Sequence, residues 1–490
     1  MFKAVRFIFM ICAFGMMALT VLSIVSGNDI RGVESNVIYS IQTILDQNDY
    51  LYQNPNQLPY ALTQYMPLYY VLNDLVLTVL QVDTSEVLKI RWVSRSISLG
   101  LLLWSVLILY TIGLRYFKLP KSRIWELLAL FVIISYPWFS LTRPDALVSF
   151  LYLLSLLLFI KFQSSQKMVY IAFIGGVGLL SIASKQSGFC FLLIIGVFFI
   201  VNKNWKALQF LTLGFLVTGI LFWLTIEIAG YHFKYIFDNT IGGIKEFSLR
   251  KAIVSTYKDF ILYYLLLILG LVIIFDLHSK KKLKLQESTI SLSFFLKLLI
   301  VLGIGISALL ALKKGSGINY FNDAIFALLV WLGYRLSKAK KYYTRNGINV
   351  LILIYVVGIQ ISLLHFCFYG EKVARGIGGK YLMINNEREG INQFVRNTVG
   401  NEYFFSQDRE LALEFYKNCI LPQFEIETNK LRLYNLQEDL KMGKIKYLIL
   451  YSKIEKSIFG EYSNLFYLNE NIGSYKIYRF INDCTETYKL

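Results

Sequence analysis

Long apolar runs, many of about 18 residues or more, recur from the N-terminus almost to residue 370. Runs of that length match the hydrocarbon thickness of a bilayer, which a backbone crosses only as a helix or a closed barrel. They predict a polytopic α-helical membrane protein and exclude a soluble globular one. The totals agree, since 56% of the 490 residues are hydrophobic and the mean hydropathy is +0.52.

About eleven spans can be drawn: Val5–Val25, Val93–Leu114, Ile124–Leu141, Leu147–Phe162, Val169–Ala183, Gly188–Val201, Leu208–Ile228, Phe260–Leu277, Leu292–Leu312, Phe321–Tyr334 and Ile348–Tyr369. Lys3 and Arg6 ahead of the first run look like a signal peptide. The run is long and lacks a small-residue cleavage site before Asn28, so it reads as an uncleaved first span.

With the N-terminus in the cytoplasm, alternate loops are basic: Arg115 to Arg123, Lys161 to Lys167, Lys203 to Lys206, Lys280 to Lys284 and Arg335 to Arg345. Lys and Arg accumulate on the cytoplasmic side of membranes, so this pattern sets the orientation. It also accounts for the net charge of +18 without nucleic acid as a partner. The expected location is the cell (plasma or inner) membrane.

The other loops then face outward, the first of them spanning 26–89, and the chain after Tyr369 lies outside. Residues 1–369 read as the membrane domain and 370–490 as a small outward-facing C-terminal α/β domain. In that tail helical stretches (387–399, 409–418, 436–442) alternate with strand-like runs (403–406, 447–451, 475–480). Four glycines in 370–379 suggest a linker. The five cysteines have no metal spacing, and a Cys419–Cys484 disulfide is left open.

Candidate functional residues are those that break the rules their neighbours obey. Two acids, Asp29 and Glu34, follow the first span, where side chains reach water beside an anchored backbone. From Val37 to Leu45 apolar residues recur at helical spacing, predicting an amphipathic helix on the bilayer surface with Glu34 in its first turn. Basic residues on the outer side are few: Arg91 and Arg95, Arg143 in R-P-D with Asp145, Lys185 in S-K-Q-S-G, and Lys313 before G-S-G-I-N-Y-F. Brought together, they would form a cationic pocket suited to a lipid phosphate. Each also has a plainer account, because Lys and Arg near span ends snorkel to headgroups. The tyrosine-rich run 50–70 reads first as an interfacial aromatic belt.

The ordered set resembles the GT-C membrane glycosyltransferases, the superfamily of the protein O-mannosyltransferases and the aminoarabinose transferases. An acid precedes a surface helix, then come Tyr65, Pro67, Leu68, Tyr69 and Tyr70, an arginine at the next span, R-P-D, S-K-Q-S-G, and finally Asn319 and Tyr320. The resemblance implies a polyprenyl-phosphate sugar as donor and a glycan, lipid or protein as acceptor. It further implies Glu34 as catalytic base with Asp29 in reserve, since many relatives carry adjacent acids where these stand five apart. Lys185, Arg91, Arg95, Lys313, Asn319 and Tyr320 would hold the donor phosphate, and Arg143 and Asp145 would position the acceptor or the loop. No phosphate-cradling nucleotide motif is present. No cofactor is assigned, and a divalent cation is left open. The alternatives are a transporter or flippase, or a polymerase, of polyprenyl-linked glycans.

Overall fold

The computed structural model describes residues 2–27, 29–30, 34–46, 51–231, 234–240, 250, 292–312, 318–338, 345–377, 380–420, 430–457 and 459–481. Among them seven helices are long and apolar enough to cross a membrane. The expected span at 260–277 lies outside the described residues, as do Lys313 and Cys484.

The bundle begins with α1 (Phe2–Val25), followed by α2 (Glu34–Leu45), α3 (Leu68–Val79) and α4 (Val87–Thr111), which runs on through a π-helical turn to Tyr116. Next come α5 (Lys121–Phe139), α6 (Asp145–Ser165), α7 (Val169–Ser184), α8 (Phe189–Val201) and α9 (Trp205–Ile228). After the short α10 (Ile236–Thr240) stand α11 (Leu292–Leu310), α12 (Asn322–Lys338) and α13 (Arg345–His365). α1 packs on α5 and α13, α4 on α6, and α11 on α12. Some hydroxyls inside the apolar bundle are satisfied locally: Thr20 donates to the Met16 carbonyl at 2.9 Å and Ser23 to that of Leu19 at 2.7 Å. Such back-bonding lets small polar residues sit in lipid without an orphaned group.

Side chains alone do not join α7 to α9. A Cβ on Gly214 would lie 1.8 Å from the Ala172 carbonyl oxygen, and one on Gly175 would lie 2.0 Å from that of Leu211. Only glycine lets the two backbones meet this closely. Most of the rest of α9 is exposed apolar surface, including Leu213, Leu216, Ile220 and Trp223.

The stretch 370–377 is not a linker. The chain passes from α13 through a π-helical turn (Phe366–Gly370) directly into α14 (Glu371–Ile377), whose Val373 and Gly376 are buried. The C-terminal unit follows: α15 (Lys380–Phe394), a π-helical turn (Val395–Val399), β1 (Tyr403–Ser406), α16 (Arg409–Glu414), β2 (Cys419–Ile420), α17 (Lys430–Lys441), β3 (Ile445–Leu450), β4 (Phe466–Ile472) and β5 (Tyr475–Phe480). These strands form one sheet in the order β2-β1-β3-β5-β4. β1 runs parallel to β2 and β3, whereas β5 is antiparallel to β3 and β4. Gly473, at φ +56°, turns β4 tightly into β5.

α2 does not lie on a surface. Its apolar face packs as expected, but Ser40, Gln42 and Thr43 on the other face are buried too. The C-terminal unit covers them: Gln42 Nε2 donates to the Leu413 carbonyl at 2.9 Å and to that of Thr84 at 2.8 Å. Tyr60 donates to Asp439 at 2.6 Å, and Asn435 to the Asn56 carbonyl at 3.0 Å. α2 is thus enclosed between the bundle and the sheet unit.

Candidate active site

Two clusters of charge meet beside the N-terminus of α2. In the first, Glu34 is fully buried and faces Arg95 from α4 side by side, with Arg95 Nε 2.9 Å from Oε1 and Nη2 2.5 Å from Oε2. The Thr142 amide donates to Oε1 at 2.8 Å and the Ile30 amide to Oε2 at 3.2 Å. Four donors fill the lone-pair directions that a carboxylate offers. Burial opposes the charge on Glu34, but Arg95, Arg91 and the Thr142 amide outweigh it and hold the carboxyl below its usual range.

Arg95 Nη1 also donates to the carbonyls of Ser23 and Ser26, at 2.6 Å each, and so ties down the end of α1. One turn earlier Arg91 donates to the Gly27 carbonyl and forks onto Glu410 of α16, at 2.7 and 2.9 Å. Asp29 is partly exposed. Its Oδ2 accepts from the amides of Glu34 and Ser35, at 3.0 and 3.2 Å, and from the Ser35 hydroxyl at 3.0 Å, capping α2.

The second cluster stands at the turn Arg143-Pro144-Asp145, directly after Thr142. Asp145 Oδ1 accepts from Lys185 Nζ and from Asn319 Nδ2, both at 2.7 Å, while Arg143 Nε lies 3.1 Å from Oδ2. Arg143 Nη2 donates to the Tyr65 hydroxyl at 3.2 Å, and Lys185 sits over the rings of Tyr65 and Tyr320 at 5.6 and 5.1 Å. Pro144 starts α6 with Asp145 in its first turn, and Lys185 follows the last turn of α7, so both charges are placed by helix ends. Asp323, from the first turn of α12, lines the small cavity behind them with Cys190.

The candidate residues therefore fall into two groups. Arg143, Asp145, Lys185, Asn319 and Tyr320 come together, joined by Tyr65, which the sequence marked only as belt or motif. Glu34, Asp29, Arg91 and Arg95 form the other group, and there the two arginines are engaged by carboxylates rather than gathered with Lys185. Glu410 was missed, having no signal beyond one more acid in a polar tail. Among the described residues no three His, Cys, Asp or Glu side chains gather as metal ligands.

No protein-family model matches the chain, and no curated protein matches it in sequence. Its fold does match solved structures. ArnT from Cupriavidus metallidurans bound to undecaprenyl phosphate aligns with a TM-score of 0.59 at 11% identity, over 96% of this chain and 98% of that one. The apo form of the same protein gives 0.59 at 10% identity, over 96% and 97%. The Archaeoglobus fulgidus oligosaccharyltransferase in complex with Zn and sulfate aligns more loosely, at 0.45 and 15% identity, over 93% and 68%. The seven candidate spans, the small C-terminal sheet and the end-to-end match together identify the fold as the GT-C fold of ArnT.

Proposed function

We propose that the protein moves a sugar from a polyprenyl-phosphate donor to an acceptor hydroxyl at the extracytoplasmic face of the cell membrane. The observation that carries this reading is the Arg143–Asp145–Lys185 cluster, set in a fold shared with a protein whose structure holds undecaprenyl phosphate. Two cations share one direct carboxylate partner, with Asp323 in the cavity behind them, and a phosphate entering on the Arg143 side would meet their positive charge. In a site with little water that charge stabilises a departing phosphate more than the bound donor, which lowers the barrier. Asn319 and Tyr320 complete the phosphate site, and Arg143, the most open of the three charges, stands at its mouth.

We assign the base to Asp29. Glu34 has no lone pair left to receive a proton, and its place is structural: it fixes Arg95 and the 142–145 turn. Asp29 is partly open and stands on the same helix N-terminus. The acceptor oxygen bonds to the anomeric carbon as the bond from that carbon to the phosphate oxygen breaks, with inversion. The acceptor proton passes to Asp29 and polyprenyl phosphate leaves with the electron pair. Residues 1–369 would hold the donor, and the C-terminal unit would close over α2.

The test is release of polyprenyl phosphate from a panel of polyprenyl-phosphate sugars by the protein in lipid, with cell-envelope acceptors present. Turnover by the wild type, lost in Asp29→Asn with donor binding kept, is the expected result. Donor binding without any release would move the protein to the transport reading.

A further inference from the structure

A cleft of about 720 Å³ opens where the start of α4 faces α15 and α16, on the far side of Arg91 from Asp29. Four glutamates and three basic side chains line it, and several already have partners. Glu86 pairs with Lys89, Glu410 takes Arg91, and Arg388 lies 3.7 Å from Asp408. A cleft so balanced has no net pull on a polyanion. Trp92 stands on one wall and is 40% exposed, offering the flat apolar face against which the C–H side of a sugar ring packs.

The opposite wall has unmet hydrogen-bonding capacity. Arg388 Nε and Asn392 Oδ1 are buried, and among the described residues neither atom has a hydrogen-bond partner. One is a donor and the other an acceptor, and orphaned buried groups of this kind cost free energy unless a ligand or water meets them. Asn392 Nδ2 meanwhile donates to Glu414, whose carboxyl burial pushes above the usual range against the pull of Arg388 and Arg396. The same wall runs into the π-helical turn Val395–Val399, a local rewinding that often marks functional sites.

We propose that this cleft binds the acceptor, and that the acceptor is an uncharged carbohydrate chain. An exposed indole, a spare donor, a spare acceptor and balanced charge suit a polyhydroxylated neutral ligand better than a phosphorylated lipid or a charged peptide. Glu410 on the cleft wall pairs with Arg91, which also holds the Gly27 carbonyl two residues before Asp29, so the cleft and the proposed base are braced by the same side chains. The inference rests on the transferase reading for the word acceptor, but the carbohydrate cleft can be tested without it.

The experiment uses the full chain in lipid nanodiscs, without donor. Neutral di- to tetrasaccharides of glucose, galactose, mannose and N-acetylglucosamine are screened by saturation-transfer NMR. At least one should bind saturably, with affinity falling tenfold or more in Trp92→Ala and in Asn392→Ala but kept in Trp92→Phe, which retains an aromatic face. The proposal is overturned if no neutral oligosaccharide binds, if both alanine variants bind as wild type does, or if phosphorylated or uronic-acid versions are preferred. Polyprenyl phosphate release by the wild type reads the transferase proposal separately. Oligosaccharide binding without release would sink the transferase and keep the cleft, and release without oligosaccharide binding would do the reverse.

Discussion

The two charge clusters beside α2 lie next to each other in the chain at Thr142 and Arg143, yet they are built on opposite principles. Around Glu34 two carboxylates meet two arginines, in bidentate pairs that also close the end of α1 and the C-terminal unit. Around Asp145 one carboxylate is shared by a lysine, an arginine and an amide. In the first, both guanidiniums are already met by carboxylates, with Asp29 close by as a third. In the second, two cations share one direct carboxylate partner, with Asp323 behind them, and under the proposed function a phosphate would compete for that sharing. The proposed function takes this difference to divide four outer basic residues that look alike in sequence: Arg91 and Arg95 as scaffold, Arg143 and Lys185 as binding candidates.

The comparison can be broken by substitution. The largest effect should come from Asp29→Asn, which removes the proposed base and should cut turnover by roughly 10²- to 10⁴-fold with donor binding kept. Full activity in that variant would return the role to another group. Next in size, Arg95→Met should destabilise the fold by about 3–5 kcal/mol, because breaking a buried pair strands Glu34. Chemical denaturation reads this, and adding Glu34→Gln should restore part of the loss. An Arg95→Met protein as stable as wild type would remove the scaffold role.

Lys185→Met should lower kcat by about 10²- to 10³-fold and cost less stability than Arg95→Met, because Arg143 and Asn319 still meet the buried Asp145. A comparable loss of stability in both would erase the distinction drawn between the clusters. Smallest is a pH effect. The Glu34 carboxyl is held below its unfolded value, so its contribution to stability is complete above about pH 4.3 and is lost as pH falls through the lowered native value. Thermal unfolding followed downward from pH 5 should show the loss, and Glu34→Gln should flatten that part of the curve.

Much of this was legible in the sequence where residues obey local rules. β1 and β5 fall at the expected positions because their apolar residues are buried in the hydrophobic clusters on the two faces of the sheet. β4 was missed, since an edge strand with mostly exposed residues has no alternation to read, and β2 is only two residues long. α3 is a short helix inside what looked like one long loop. The burial of α2 could not be read from its own periodicity, because Leu413, which accepts from Gln42, lies 371 residues away. The different surroundings of Glu34 and Asp29 were hidden for a similar reason: sequence shows that two acids are near, but only packing shows that Glu34 is fully buried against Arg95 while Asp29 caps α2 and stays partly exposed.

The glycine seam between α7 and α9 has a practical consequence for handling the protein. A seam too tight for a Cβ has no room for a detergent chain, so α9 should stay on α7 in micelles as in a bilayer, and the choice of solvent bears on its outer flank, where Leu213, Leu216, Ile220 and Trp223 are exposed.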